Sequence, residues 1–226
     1  MNKPFAFALL LVLFISASVN ADTVTIVTPK IGGGAVTITG VGMIDVDVSF
    51  DGTNLAVDVP SDSTPLLRPL GAGYAFQSGT SWDLALTGKA YNYQYGWNAD
   101  DSLSTLPSGS AVWVQLLDET AGLQTYYRPD YTAILPSGGD IWEWNLGMQH
   151  NAYTVLAPTQ SVYTADYKVY IGDATTGVPL SGYGSANATF TWNATPVPEP
   201  SAIVLLGMGM ASIAVVLRSR GRKDPV

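Results

Sequence analysis

Cysteine is absent from this sequence, and histidine occurs once, at position 150. The lack of cysteine excludes disulfides, a thiol nucleophile and cysteine-ligated metals. A single imidazole also leaves too few nitrogen ligands for a zinc site. A domain of this composition must therefore be stabilised without covalent or metal cross-links, and we expect no cofactor.

Positive charge is scarce between residues 22 and 197, where five Lys and Arg residues face sixteen Asp and Glu residues. Nucleic acids and anionic lipid head groups are bound by clustered Lys and Arg, so this composition excludes nucleic acid as a partner. Cations or neutral glycans are the partners that an acidic surface favours. The five cationic residues are Lys30, Arg68, Lys89, Arg128 and Lys168.

The N-terminal segment has the pattern of a secretory signal peptide. Lys3 precedes an apolar run over residues 5–15, and Val19-Asn20-Ala21 supplies small or aliphatic residues at a cleavage site. A first transmembrane helix is the alternative, but eleven apolar residues are too few to span a bilayer. We therefore predict a signal helix within residues 1–21, cleaved by signal peptidase to leave Asp22 at the mature N-terminus.

The other end of the chain combines a polar motif, an apolar run and a basic terminus. Pro198, Glu199 and Pro200 precede residues 202–217, which carry no charge and would extend about 24 Å as a helix. That length is slightly short of the roughly 30 Å hydrocarbon core, so one weak transmembrane helix is predicted, with a buried core helix as the alternative. The cations that follow predict a cytoplasmic end and an external body; they are Arg218, Arg220, Arg222 and Lys223.

The tail resembles that of PEP-CTERM proteins, which are exported bacterial substrates of exosortase. The resemblance rests on Val197-Pro198-Glu199-Pro200-Ser201, the glycine-containing apolar run and the Arg-rich terminus, and it is confined to residues 197–226. It implies that an intramembrane cysteine transpeptidase recognises Pro198, Glu199 and Pro200 and removes the span. The implied route, in a Gram-negative-type bacterium, is a transient inner-membrane anchor followed by the cell surface or extracellular matrix.

Residues 22–197 consist of short alternating segments separated by Gly, Pro, Asn and Asp turns, which predicts an all-β domain of the β-sandwich or jelly-roll type. The clearest element is a hairpin around Asp51-Gly52, with Phe50 opposite Leu55. Residues 111–117 predict a central strand because they are apolar almost throughout. Residues 35–39 and 82–86 also predict strands, and residues 116–123 a short helix.

Four aromatic residues at every second position form the best candidate for a glycan-binding platform. Tyr and Trp rings stack on sugar faces, and in a continuous strand all four would share one face. The alternative is that they fill the core of the sandwich, since one face of each strand must be buried. They are Tyr91, Tyr93, Tyr95 and Trp97.

Three aspartates near the predicted hairpin form a weak calcium candidate, because calcium prefers oxygen ligands. Asp47 and Asp58 fall opposite each other in the predicted register, and Asp45 precedes them on the same face. No continuous calcium-binding loop accompanies them. A solvated acidic face is the simpler interpretation.

Catalysis has little support in the sequence. His150 has no recognisable triad partners, there is no Gly-x-Ser-x-Gly motif, and Glu143 would face away from its tryptophan neighbours in a strand. A small hydrolase is thus the weakest hypothesis. We expect a non-enzymatic surface or matrix protein with a structural or adhesive β-domain, or alternatively a carbohydrate-binding module that associates with exopolysaccharide in a biofilm.

Overall fold

The computed structural model describes residues 23–197, and this part of the chain is built almost wholly from β-strands. The predicted all-β class is confirmed. Among the described residues, a single short α-helix, α1, spans Ser81–Leu86, and a 3₁₀ turn spans Asp101–Thr105. The strands are β1 Thr25–Val27, β2 Ile44–Phe50, β3 Leu55–Asp58, β4 Leu66–Leu67, β5 Tyr74–Phe76, β6 Lys89–Asn92, β7 Tyr95–Ala99, β8 Ser110–Glu119, β9 Leu123–Tyr127, β10 Thr132–Ile134, β11 Ile141–Trp144, β12 Gln149–His150, β13 Ala152–Leu156, β14 Val162–Asp173 and β15 Ala186–Ala194.

Between residues 23 and 197, the strands form three larger sheets and one small parallel pair. Their orders are β11-β8-β14-β15-β4, β12-β7-β2-β3 and β10-β9-β13-β6, with β1 paired to β5. The apolar faces of the three larger sheets contribute to one hydrophobic cluster. The fold is therefore layered around a shared interior, as an all-β domain without disulfides requires.

The hairpin of β2 and β3 has the predicted register. Phe50 pairs with Leu55, Val48 with Val57, and Asp47 with Asp58. The Asp51 carboxylate accepts hydrogen bonds from the backbone N–H groups of Thr53 and Asn54, which fixes the turn. These bonds lower the pKa of Asp51, because they stabilise the ionised carboxylate.

The aromatic stretch of residues 91–97 changes sheets halfway along. It belongs to β6 before residue 93 and to β7 after residue 94. The neighbouring strand changes at the same point, since β6 pairs with β13 and β7 pairs with β12. Asn92 and Gln94 lie buried at the crossing, where the Asn92 Nδ2 group donates to Gln94 Oε1 over 3.0 Å. The Gln94 backbone N–H also donates to Asn92 Oδ1 over 2.8 Å, so these polar groups buried at the crossing have hydrogen-bond partners.

The centre of the hydrophobic cluster is aromatic and is organised around Phe190 of β15. Its ring lies 4.4 Å from that of Tyr95, 5.0 Å from that of Trp97 and 5.1 Å from that of Tyr167, measured between centroids. Trp192 and Tyr153 complete the group. We call these six residues the Phe190 core. Aromatic side chains of this size contribute much of the buried apolar area of a domain.

The predicted strand over residues 82–86 is wrong, since these residues lie in α1. The Thr80 Oγ1 atom accepts a hydrogen bond from the Asp83 backbone N–H over 3.3 Å, and the Asp83 carboxylate accepts from the Gly79 N–H over 3.1 Å. Gly88 then adopts a φ of +77°, typical of the residue that ends a helix. These caps define a helix of six residues. The alternation of apolar and polar residues in this segment therefore does not reflect a strand.

Two other local predictions are also wrong. Residues 35–39 form no strand, because the glycine-rich segment before them continues as turns. Residues 116–123 form no helix, since β8 extends to Glu119 and pairs there with β14. The predicted central strand at residues 111–117 is confirmed within β8, which lies between β11 and β14.

The terminal segments fall outside the described residues. The predicted signal peptide at residues 1–21, the motif at Pro198, Glu199 and Pro200, the span at residues 202–217 and the basic residues 218–223 all lie there. Within residues 23–197, neither helix has the length and apolarity needed to cross a membrane.

Candidate functional site

The prediction of an exposed aromatic platform is wrong. Tyr91, Tyr93, Tyr95 and Trp97 are only 0%, 1%, 3% and 1% exposed. They also pack in two separate clusters, because the stretch crosses between sheets: Tyr91 and Tyr93 in one, Tyr95 and Trp97 in the other. These rings stabilise the interior and are not available to stack on a glycan.

The calcium hypothesis for Asp45, Asp47 and Asp58 also needs correction. Asp47 and Asp58 do face each other, but the Asp47 carboxylate accepts a hydrogen bond of 2.7 Å from the Asn98 Nδ2 group. Within residues 23–197, no three acidic, His or Cys side chains are grouped so that they could hold a metal ion. The geometry supports the solvated acidic face instead.

A cleft of about 570 Å³ lies where four distant segments meet, and we call it the Trp82 cleft. Its volume is within the range of small-molecule sites. Trp82 comes from α1, Gln149 and His150 from β12, and Arg128 and Tyr131 from the turn between β9 and β10. The remaining wall is formed by Thr28, Pro29, Pro129 and Met148.

His150 is the most buried polar side chain of the cleft wall, with 7% of its surface exposed. Its Nδ1 atom lies 2.8 Å from the carbonyl oxygen of Tyr93. A carbonyl oxygen only accepts, so Nδ1 carries the proton, and in the neutral ring Nε2 is then a free acceptor. Nε2 is buried and has no hydrogen-bond partner.

Gly96 makes room for the imidazole of His150. The two residues are paired in register between β7 and β12. A Cβ atom at position 96 would lie 2.6 Å from His150 Nε2 and 2.8 Å from Nδ1, which is closer than side chains tolerate. The position of the ring therefore depends on the absence of a side chain at residue 96.

The aromatic wall of the cleft is fixed by contacts between rings. Trp82 meets Tyr131 edge to face at 6.3 Å between centroids, and the hydroxyl groups of Tyr131 and Tyr93 lie 3.1 Å apart. The Arg128 guanidinium lies over the Tyr93 ring at 5.3 Å from its centroid. Burial raises the pKa of Tyr93 far above its usual range, with a smaller contribution from Tyr131, so this phenol remains protonated.

Tyr131 also has an unusual backbone. Its φ is +60°, a left-handed conformation that costs energy for a residue with a side chain. The Tyr131 N–H donates to the carbonyl of Tyr127 over 2.7 Å, and the Asp130 carboxylate accepts from the next N–H. The turn thus holds Tyr131 against the cleft in a conformation that few residues adopt.

A second, much smaller cavity of about 60 Å³ borders Glu119 at the end of β8. Burial raises the pKa of Glu119 to about 7, and the neighbouring Asp118 contributes in the same direction. Glu119 Oε2 and Thr125 Oγ1 are buried in its wall without a partner. The cavity is large enough for water but not for an organic substrate.

The two residues considered for hydrolysis do not resemble a catalytic pair. Glu143 lies exposed on β11, an edge strand, and pairs with Trp113 of β8. His150 lies buried on β12, in another sheet. No carboxylate lines the Trp82 cleft next to the imidazole.

The residues that form the cleft were mostly missed from the sequence. Of these residues, the sequence singles out only His150 as a candidate for chemistry, and it finds no triad partners for it. The pattern Thr80-x-x-Asp83 could have located α1 and therefore Trp82, since Ser or Thr followed three residues later by an acid is typical of a helix start. No local sequence pattern predicts that Arg128 and Trp82 line the same cleft, because only the tertiary structure brings them there.

The described domain and the tail together define the class of the protein, a β-rich domain followed directly by a C-terminal sorting segment. Residues 196–223 match the PEP-CTERM protein-sorting motif, which covers Pro198, Glu199, Pro200 and the basic residues. The chain thus carries the signal of an exosortase substrate exported to the cell surface. No curated protein and no solved structure matches the chain significantly.

Proposed function

We propose that this chain is a surface or extracellular-matrix protein whose β-domain has a structural or adhesive role and catalyses no reaction. The observation that carries the proposal is the sorting motif at residues 196–223, two residues after the end of β15. A domain fused so closely to a sorting signal is delivered to the surface with it. The apolar run at residues 202–217 then serves as a transient inner-membrane anchor.

The acidic composition of the body supports a surface role. Sixteen acidic against five basic residues give the body a strong negative charge, which keeps an exported protein soluble and limits unspecific association. Its aromatic residues are used to form the core, so stability does not depend on disulfides. These properties suit a domain that must persist outside the cell.

Replacing Glu199 tests the proposed route. Glu199→Gln should leave the chain in the inner-membrane fraction at its uncleaved mass, measured by cell fractionation and mass spectrometry. Glu143→Gln, an exposed carboxylate of the body, is the matched control and should be released normally. Release of the Glu199 variant at the normal mass would contradict the role given to the motif.

Carbohydrate binding is the second candidate function. The platform first expected for it is buried, but the Trp82 cleft offers two partly exposed rings, those of Trp82 and Tyr131, beside polar groups. Such a combination is typical of saccharide sites, because the rings cover the apolar face of a sugar and the polar groups bind its hydroxyls.

A further inference from the structure

We propose that the Trp82 cleft binds an acidic saccharide, with a carboxylated sugar ring against Trp82 and Tyr131 and its carboxylate at Arg128. This inference deepens the adhesive role proposed above and rests on it. The cleft, its charge and its unpartnered polar atoms support it independently of one another.

The charge of the cleft is opposite to that of the body. Neither Asp nor Glu lines it, although the body contains sixteen acidic residues. Arg128 is exposed at its rim, and a guanidinium binds carboxylates in a bidentate geometry. Asp83 and Asp130 neighbour lining residues in the chain, but their carboxylates accept hydrogen bonds from the backbone N–H groups of Gly79 and Thr132, which partly offset their charge. At physiological salt the Debye length is about 8 Å, so exposed acids farther away are largely screened.

The cleft continues beyond Trp82 into a second depression of about 350 Å³. The two depressions share Trp82 and Thr28, and the second is lined by Lys30 and Gln77 but by no acidic residue. Two of the five basic residues of the body therefore border one groove. Two adjoining depressions suit a chain of several sugar units better than a single small ligand.

Two buried polar atoms in the wall lack partners. They are Nε2 of His150 and Nε1 of Trp82, which belong to eight such atoms among the described residues. Both residues belong to the wall of the cleft, whereas Trp192, which also has an unpartnered Nε1 atom, does not. His150 Nε2 is an acceptor and Trp82 Nε1 a donor, so a sugar hydroxyl and a neighbouring ring or carboxylate oxygen would satisfy both if binding turns these side chains toward the cleft.

The full-length chain, purified in detergent micelles, can be titrated with oligogalacturonate as the acidic probe by calorimetry. A neutral cello-oligosaccharide of the same length and inorganic sulfate serve as comparisons. We expect saturable binding of oligogalacturonate, at least tenfold weaker binding of the neutral oligomer, and no competition by sulfate at equal concentration. Absence of saturable oligogalacturonate binding would overturn the proposal.

Substitutions of cleft residues test whether the ligand binds in the cleft. Arg128→Gln should weaken oligogalacturonate binding at least tenfold, and Trp82→Phe, which keeps a ring but removes the N–H, should weaken it severalfold. Lys168→Gln is the matched control, because its ammonium also lies over a tyrosine ring, 5.7 Å from the centroid of Tyr170, but outside the cleft. Equal losses for the Arg128 and Lys168 variants would mean unspecific charge attraction and would refute the site.

Other outcomes are equally decisive. Equal affinity for the neutral oligomer, unaffected by Arg128→Gln, would refute the carboxylate contact, and full competition by sulfate would reduce the cleft to a simple anion site. Thermal melting of each variant shows whether it is folded. Because binding is measured on purified protein, its failure is distinguishable from a failure of sorting, which is measured in cells.

Discussion

The Phe190 core and the Trp82 cleft use the same types of residue for opposite purposes. In the core, five aromatic rings pack around Phe190, and all six side chains are almost completely buried. In the cleft, Trp82 and Tyr131 meet edge to face and each keeps part of its surface exposed. Aromatic content alone therefore identifies neither a core nor a binding surface.

The difference follows from the elements that carry the rings. Phe190 and Trp192 occupy alternate positions of β15, an interior strand, so the layer beneath covers them. Trp82 and Tyr131 come from a six-residue helix and a left-handed turn residue, which lie beside the sheets. In β15 the alternation of side chains between the two faces of the strand buries Phe190 and Trp192. The positions of Trp82 and Tyr131 instead depend on a short helix and a turn.

The largest effect is expected from removing the centre of the core. Phe190→Ala should lower the free energy of unfolding by about 3–5 kcal/mol, because a cavity replaces a ring with five aromatic neighbours. Tyr131→Ala should cost about 1–2 kcal/mol, and Leu84→Ala, at an 81% exposed position, less than about 0.5 kcal/mol. Denaturant titration measures all three, and equal losses for Phe190 and Tyr131 would remove the distinction between core and cleft.

Gly96→Ala tests whether the His150 imidazole needs the space left by the missing side chain at residue 96. The added Cβ would overlap the imidazole, so we expect a loss of about 2 kcal/mol in unfolding free energy. In a His150→Ala background the same substitution should cost much less, because the overlapping ring is absent. If the two substitutions are simply additive in thermal or denaturant unfolding, the contact does not determine the position of the ring.

Glu119 should make stability depend on pH. Its pKa is raised from 4.5 to about 7 in the folded state, so the folded protein holds the proton more tightly. The resulting stabilisation is complete below about pH 4.5 and is lost as pH rises through about 7. We expect a decrease of about 1–2 kcal/mol, less than the full shift implies, because the carboxyl group is only partly buried.

Unfolding curves between pH 4 and 9 measure this dependence. Glu119→Gln should flatten the profile over the stated window, and Asp118→Asn should narrow the window, because Asp118 contributes to the raised pKa. A wild-type profile in which stability rises between pH 5 and 7 and does so equally in Glu119→Gln would contradict the assignment.

Apart from the exposed control Leu84→Ala, the smallest effect on stability is expected at the start of α1. Thr80→Ala removes the cap that accepts from the Asp83 N–H and should lower the unfolding free energy by about 1 kcal/mol. Thr80→Ser keeps the hydroxyl and should be nearly neutral. A matching weakening of ligand binding in the Ala variant alone would show that the helix positions Trp82.

The hairpin of β2 and β3 could be predicted because its information is local. Asp51-Gly52 specifies the turn, and alternation on both sides specifies the register. The central strand β8 was equally clear, since an apolar run of this length is typical of a strand covered on both faces. In both cases neighbouring residues alone determine the structure.

The aromatic stretch was misinterpreted because its decisive residues are polar. Alternation places Asn92 and Gln94 on a solvated face, whereas the structure buries both and satisfies them with each other and with backbone carbonyls. These hydrogen bonds satisfy the buried amides at the point where the chain passes from one sheet to another. Burial of amides depends on distant partners, here Leu66 and Gly42, which no local pattern specifies.

The cleft could not be predicted for the same reason. Trp82 comes from a helix, Arg128 from the turn after β9 and His150 from β12, and β9 and β12 belong to two different sheets. The parallel pairing of β2 with β7 joins residues 51 positions apart in the chain, such as Ile44 and Tyr95. The sorting tail required no such assembly. Its signal is contained in a linear segment, which is why residues 196–223 match a sorting motif although no curated protein and no solved structure matches the chain.

The position of β15 has a mechanical consequence. This strand ends at Ala194, and the backbone N–H groups of Ala194 and Val197 donate to the carbonyls of Ser161 and Pro158. Tension applied through the sorting segment would first strain these two bonds and then the ladders that join β15 to β14 and β4. A protein tethered by this end would thus transmit a pulling force into the strand that carries Phe190 and Trp192, where rupture requires the core itself to open.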